Sequence, residues 1–388
     1  MKRTLIALAL VGMLGGCQTV TQTVTGWYDD IFSSSSKKTL PAPLVDFKPS
    51  VEVKLRASAN IGGAGGFVFA PALNKEGLFA TGFDGKLARF EADTLKERWR
   101  TEAGKKLSGG VGAAENLVVV GTQKGEVLAY DFNGQPLWQA RVTSEILSPP
   151  QIAGGLVLVR SGDGRIFALD AKDGKRKWLY QRATPALTVR SFGGMMIDKN
   201  GVFAGFGGGK LVALELESGN VGWEVSVALP RGVSELERIA DVTSNAVTDG
   251  RLVCAVAFQG RVACFEIQNG NVVWARDLSS IAGLAMDARN VYVADVNGAV
   301  HAMDKTTGGY VWKHDKLTHR QLSTPLIYRG YVVVGDLQGF VHFISREDGA
   351  FAARIATDGS PIRAQPQALT DGVLVQTKNG GLFVLGLN

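Results

Sequence analysis

A glycine recurs along the chain at Gly85, Gly125, Gly164, Gly209, Gly260, Gly298, Gly339 and Gly380, at spacings of 38 to 51 residues. Six of these are followed 13 or 14 residues later by a tryptophan: Trp99, Trp138, Trp178, Trp223, Trp274 and Trp312. Ala353 stands in that place after the seventh glycine, and the chain ends before the eighth can have a counterpart. One unit reads Asp163-Gly164-Arg165-Ile166-Phe167-Ala168-Leu169-Asp170, then Asp173-Gly174, then Trp178. A period of roughly 42 residues is the length of one four-stranded propeller blade. The local chemistry agrees with that reading. The leading glycine closes a hairpin, because it reaches positive φ without a Cβ clash. The next residues favour strand, as in Arg261-Val262-Ala263-Cys264-Phe265. A second turn follows with Gly174, Gly219, Gly270, Gly308 or Gly349, and the last strand of the unit carries the tryptophan. A large ring at one fixed place per repeat can bury against the next unit and lock a radial stack, so these tryptophans read as core and not as a ligand cage.

The expected fold is therefore all-β, an eight-bladed β-propeller with four antiparallel strands per blade. Only eight residues follow Gly380, enough for one strand, so the last blade lacks its outer strand. The segment Val51-Glu52-Val53-Lys54-Leu55-Arg56 is an orphan strand ahead of the first repeat. It is expected to complete the last blade, with Leu55 in the tryptophan's place, which removes an open sheet edge and seals the ring.

The N-terminus has the pattern of a targeting segment. Lys2 and Arg3 precede an apolar run from Leu5 to Leu14. Ten helical residues span about 15 Å, half the roughly 30 Å of a bilayer core, so the run reads as a signal peptide over residues 1–16. Leu14-Gly15-Gly16-Cys17 resembles the lipobox of bacterial lipoproteins, with Gly at a position where Ala or Ser is more usual. By that resemblance Cys17 is lipidated and becomes the new N-terminus, and Gln18 directs the protein to the periplasmic face of the outer membrane. More than one acyl chain gives stable membrane anchoring. Residues 17–46 lack periodicity and carry Ser33 to Ser36, Pro41 and Pro43, the composition of a tether. Roughly 30 extended residues reach about 100 Å. Trp27, Tyr28 and Phe32 within it either touch lipid or a partner or are incidental. Residues 47–388 are left for the propeller.

The formal charge is +6, and without Lys2 and Arg3 the chain keeps 40 basic against 36 acidic residues. These charges are interspersed, which argues against a nucleic-acid partner. Apart from Cys17 there are only Cys254 and Cys264, flanking a hairpin turn near Gly260. The periplasm permits a disulfide. A three-residue loop sets the two opposite each other, whereas two or four residues put them on opposite faces. Buried free thiols are the default expectation.

A regular propeller is a scaffold, so function is sought where the repeat is broken. Five of the intervals from the tryptophan position to the next leading glycine are 24 to 27 residues, but Trp178 to Gly209 is 31 and Trp223 to Gly260 is 37. Both insertions follow an outer strand and precede the next inner strand, at consecutive junctions. Two enlarged loops, roughly residues 181–194 and 228–245, are thus expected side by side on one rim. The first holds Leu187, Thr188, Val189 and Arg190; the second holds Leu236, Glu237, Arg238, Ile239 and Asp241. Aliphatic side chains beside an arginine fork suit a protein-binding patch. The competing reading is that Leu187 and Val189 cap the core and Arg190 pairs locally.

Lipobox, tether, eight repeats and the loop pair together resemble the BamB family, lipoproteins of the outer-membrane β-barrel assembly (BAM) complex, along the whole chain. Leu187-Thr188-Val189-Arg190 is similar to that family's Leu-Thr-Leu-Arg segment, with Val for the second Leu. Ser234-Glu235-Leu236-Glu237-Arg238 through Asp241-Val242 is similar to its second loop, and His319-Arg320 and Val334-Gly335-Asp336 also match. The resemblance implies a non-enzymatic scaffold that docks on the POTRA domains of BamA through Leu187, Val189, Arg190 and Asp241 and assists insertion of unfolded outer-membrane protein clients. The family has a second Asp two positions after Asp241, where this chain has Thr243.

One alternative is a dehydrogenase using pyrroloquinoline quinone in the propeller mouth. Such enzymes need calcium bound by oxygen ligands and a catalytic Asp, and typically a pair of adjacent cysteines, which this chain lacks. The other is a general periplasmic adaptor that binds extended polypeptides at strand edges. No cofactor, metal or catalytic residue is expected. His301 and His342 fall at the same place in consecutive repeats without a third ligand at metal spacing. The glycine run Gly205 to Gly209 reads as a blade turn, since no helix follows to make a phosphate loop.

Overall fold

The computed structural model describes residues 40–387, so the signal peptide, Cys17 and the aromatics of the tether lie outside the described residues. The described chain forms eight four-stranded antiparallel sheets, each a radial blade. Seven are consecutive in sequence, from blade 1 (Ala72–Asn74, Gly77–Thr81, Lys86–Phe90, Glu97–Glu102) to blade 7 (Leu326–Tyr328, Tyr331–Gly335, Phe340–Ser345, Phe351–Ala356). Blade 8 joins Gln367–Leu369, Gly372–Gln376 and Gly381–Leu387 to the N-terminal strand Val53–Asn60, which pairs antiparallel with the last. The two middle strands of each blade are buried along most of their length, because neighbouring blades cover both faces. Their sequences accordingly read as unbroken apolar runs such as Leu117-Val118-Val119-Val120.

Each of the six repeat tryptophans docks on the following blade. The indole Nε1–H of Trp99 donates to Phe132 O at 2.7 Å, Trp138 to Ala171 O at 2.9 Å and Trp178 to Leu216 O at 3.0 Å. Trp223, Trp274 and Trp312 do the same to Ile267, Lys305 and Arg346. The ring lies against the second-turn glycine of that next blade. At Gly219, φ is +71° and a Cβ would stand 2.5 Å from Trp178 Cε3, so both backbone conformation and space demand glycine.

The closure seam departs from this rule. Trp178 pairs with Ala168 just before a bulge, and in blade 8 the equivalent partner of Val384 is Ala57. Leu55, expected in the tryptophan's place, sits beyond the bulge opposite Leu385 and is exposed. The facing turn of blade 1 carries Leu95 where the others carry glycine, at φ +52° and buried beside Ala57. A large ring on a glycine has been exchanged for a leucine on an alanine, which fills the same gap from the opposite side. Leu95→Gly is expected to relieve about 1–2 kcal/mol of left-handed backbone strain but to leave a cavity costing about 2–5 kcal/mol. The urea midpoint should fall, and adding Ala57→Trp to that variant should raise it again. An unchanged midpoint in Leu95→Gly would contradict this account of the seam.

Ala353 has no docking ring to carry because the outer two strands of blade 8 come from opposite ends of the chain, and no hairpin turn joins them. Residues 42–53 fill that corner and run as a strap down the outer edge of blade 7. Ser50 N–H donates to Ala352 O at 2.9 Å, and Phe47 stacks on Phe351 with ring centroids 4.8 Å apart. Val51 and Val53 pack against the apolar cluster holding Ala352 and Ala353.

Cys254 and Cys264 form a disulfide, which corrects the expectation of free thiols. Ala257 and Arg261 are the last bonded pair before the turn, so the loop is three residues long and the cysteines fall in register, Cα atoms 4.0 Å apart.

Candidate functional site

All connections from an outer strand to the next inner strand leave one face of the ring, which also carries the leading-glycine turns, as the bond from Ala103 N–H to Gly85 O shows. No strand interrupts the chain between Gln181 and Met195 or between Ser226 and Val247. These are the two long loops, and they touch. Asp241 of the second loop accepts Val189 N–H of the first at 2.6 Å and Gly208 N–H, from the turn between them, at 2.9 Å. Ser191 Oγ–H donates to Thr243 O at 2.8 Å, and Gly194 N–H to Asn245 Oδ1 at 2.6 Å. The structure thus joins the two stretches into one surface.

Asp241 is a tie in that surface rather than part of its face. It is 3% exposed, and burial raises its pKa against the two backbone N–H groups and Arg160, which favour the carboxylate. Arg160 is itself lowered to about 10 by burial and donates to Gly193 O at 3.2 Å. The pair balances charge beneath the first loop.

Above them, Leu187 and Thr188 are exposed, while Val189 is half-buried. Arg190 lies across the junction to the preceding blade. Its guanidinium pairs with Glu145 at 2.7 Å and sits 5.4 Å from the ring centroid of Phe67. Arg190 thus pairs locally, and the pair is one-third exposed at the rim. Glu145 and Phe67 have no signature in the sequence, since they come from different junctions and meet Arg190 only in space.

The second loop is ordered by a capping box. Glu237 N–H donates to Ser234 Oγ at 3.3 Å, and the Glu237 carboxylate accepts Ser234 N–H at 3.0 Å and Val233 N–H at 2.8 Å. These backbone bonds hold Glu237 below its ordinary pKa. Arg238 N–H returns to Ser234 O at 3.1 Å, completing one helical turn. The turn props Leu236 and Val233 into solvent, 68% and 99% exposed, with Leu229 exposed nearby and Arg238 beside Glu235. Leu229 and Val233 were not singled out from sequence, although they lie in the expected loop. Glu237 holds the turn and Arg238 faces outward. The arrangement is an apolar surface with a cationic rim, suited to a protein partner.

Elsewhere, His301 and His342 occupy matched positions, bonded to Asp295 at 2.8 Å and Asp336 at 2.9 Å. Among the described residues no group of three or more His, Cys, Asp or Glu is placed to hold a metal. Gly207 to Gly209 form a strand turn closed by the Phe206–Lys210 pair.

Residues 83–314 match a family model described as outer membrane protein assembly factor BamB. The chain is similar to the outer membrane protein assembly factor BamB of Nitrosomonas eutropha, 46% identical over 98% of this chain and 94% of that one. It is similar to the Bordetella pertussis protein of the same name, 41% identical over 92% of this chain and 93% of the other. Among solved structures, BamB from Moraxella catarrhalis superposes with a TM-score of 0.80 at 25% identity, covering 86% of this chain and all of that one. A quinohemoprotein alcohol dehydrogenase from Comamonas testosteroni shares the fold alone, with a TM-score of 0.71 at 13% identity, over 86% of this chain and 76% of the other.

Proposed function

The chain belongs to the BamB family of outer membrane protein assembly factors, and from that premise we propose that it is a non-enzymatic scaffold of the β-barrel assembly machinery. In this reading it sits at the periplasmic face of the outer membrane, held by lipid on Cys17. The two tied loops dock on the POTRA domains of BamA, and the assembly favours folding and insertion of outer-membrane proteins. The observation that carries the docking site is the Asp241 tie, which makes one rigid surface from the only two connections that exceed the blade repeat. A preorganised surface loses little conformational freedom on binding. Leu187, Val233 and Leu236 supply exposed apolar area, and Arg190 and Arg238 supply the cationic donors.

Leu187→Ala and Arg190→Ala test the site. Each is expected to weaken retention of BamA about tenfold, the size of a moderate interface anchor, with the unfolding midpoint unchanged for Leu187→Ala. The measurement is binding of the mature chain to immobilised POTRA domains. Full retention in both variants would remove the loops from the docking surface and favour a general adaptor.

A further inference from the structure

The ring is closed by Val53–Asn60, and Val51 and Val53 cover the apolar cluster at its corner. The strap nevertheless stays bonded for one further blade height, from one face of the ring to the other. Val53 pairs with Leu387, at the far end of the strand that starts at Gly381, so it lies on the face opposite the long loops. Ser50, Phe47 and Val45 then meet Ala352, Phe351 and Arg354 in turn. Ala42 reaches the loop face, against the connection from blade 6 to blade 7. Its N–H donates to Thr318 O at 2.9 Å and its carbonyl accepts from Arg320 at 2.8 Å. Pro41 and Pro43 lack an N–H and stiffen the chain, so Ala42 offers the one backbone donor of that triplet, and Thr318 takes it. Arg320, which holds the carbonyl, stands between His319 at φ +59° and Gln321 at φ +47°. Both are non-glycine residues in the strained left-handed region, and that strain sits where the strap is gripped.

The consequence is a reversal of the exit. Without the strap the chain would leave the ring at Val53, on the face opposite the loops. With it, the chain leaves at Leu40, 79% exposed, on the loop face. The outer strand that the strap follows, Phe351–Ala356, rises about 20 Å. Residues 18–39 separate that exit from Cys17, and a tether of that length has a root-mean-square span of about 25 Å. The two lengths are similar, so the face of exit decides which face of the ring rests nearer the bilayer. We propose that the strap turns the loop face toward the membrane to which lipid fastens the chain, so that the bilayer and the docking partner are met from one side. This rests on the lipid-anchor reading above and adds an orientation to it. The orientation raises the local concentration of the loops at a membrane-bound partner without any new contact.

The test places a donor dye in blade 2, at Lys124→Cys on the loop face or at Asn133→Cys on the opposite face, both exposed sites. Energy transfer is read to rhodamine-labelled lipid in vesicles of phosphatidylethanolamine and phosphatidylglycerol. Cys254 and Cys264 are bonded and buried and do not take the dye. Three chains are compared: the lipidated full chain, a chain with hexahistidine in place of residues 1–17 on nickel-chelating lipid, and a chain with residues 18–39 and the tag moved to follow Asn388. Transfer from the Lys124 site should exceed that from the Asn133 site about twofold in the first two chains, and the order should invert in the third. Releasing the strap with Ala42→Pro/Phe47→Ala/Arg354→Ala should bring the ratio to one or below, with circular dichroism confirming a folded ring. A ratio of one or less in the first two chains, the same ratio with the tether at either end, or an unchanged ratio in the folded strap variant would overturn the proposal. The moved tether leaves the ring unaltered and decides the matter even where the strap variant fails to fold. No docking partner is present and the nickel-bound chains need no acyl group, so a full chain that fails to float with vesicles would remove the lipid reading alone.

Discussion

Arg320→Ala is expected to cost about 3–5 kcal/mol of stability, because it leaves a buried charge without its counter-ion. Arg320 is 1% exposed and each of its terminal nitrogens has a separate partner. Nε–H donates to Asp336 Oδ2 at 2.7 Å, one Nη–H to Gln338 Oε1 at 2.6 Å, and the other to Ala42 O at 2.8 Å. Asp336 also meets His342 Nε2 at 2.9 Å, and His342 Nδ1 accepts Arg354 Nε–H at 3.3 Å. Burial lowers the His342 pKa, so the ring is neutral and Nε2–H donates to the carboxylate. Arg354 then reaches Val45 O at 3.1 Å and lies 5.0 Å from the Phe47 ring centroid. The network thus begins and ends on backbone carbonyls of the strap. Removing Arg320 strands Asp336 in the core and takes the donor from Ala42 O, leaving that end of the strap only the Ala42 N–H bond to Thr318 O. Chymotrypsin should cut faster after Phe47, and the urea midpoint should drop. Arg320→Lys should recover only part of the loss, since one ammonium cannot reproduce a fork aimed at three acceptors.

The pH dependence follows from Asp336. Burial alone would raise its pKa, but His342, the Phe340 N–H and Arg320 together hold it below the ordinary carboxylate value. A depressed carboxylate contributes stability above its unfolded pKa and loses it as pH falls through the folded pKa. Acid should therefore destabilise the unaltered chain through this group, and less so once Arg320 is gone. A cost under 1 kcal/mol with unchanged chymotryptic cleavage at Phe47 would show that the network is not what holds the strap.

The blades were legible because every repeat must satisfy the same packing problem. A tryptophan on an outer strand needs a glycine turn opposite, and that pair recurs at readable spacing. Where the pair is absent, sequence loses its grip. The Ala57 and Leu95 exchange depends on a bulge between Leu55 and Ala57, and a shift of one residue reassigns every side chain beyond it. The Cys254–Cys264 bond likewise hinged on whether one hairpin loop held two, three or four residues. The strap has no periodicity at all, since its bonds are scattered over Thr318, Arg320, Ala352 and Arg354 and form no continuous strand ladder. At the site, the two loops announced themselves by length, and Ser234 with Glu237 carried a local capping pattern. That Asp241 faces inward, and that Arg190 finds Glu145 and Phe67, are consequences of tertiary proximity that no spacing along the chain encodes.

The tie itself is the more demanding test of how the loops work. Asp241→Asn keeps size and shape but changes what the group can do. A carboxylate accepts both Val189 N–H and Gly208 N–H, whereas an amide oriented to accept one must turn its NH2 toward the other donor. One backbone N–H is left opposing a donor, and the first loop loses its attachment. The ring should stay folded, because neutralising a carboxylate whose pKa burial has raised removes a desolvation penalty that offsets part of the lost bonding. BamA binding, by contrast, should fall about a hundredfold, more than for either Leu187→Ala or Arg190→Ala, since both contact residues move together when the loop is released. Amide exchange of residues 187–193 should accelerate while the blade strands remain protected. Asp241→Glu should not rescue, because the longer side chain cannot place both oxygens at these distances within a closed site. If Asp241→Asn binds as tightly as the unaltered chain, the two loops act independently, and the surface they form in the free protein is not the one the partner reads.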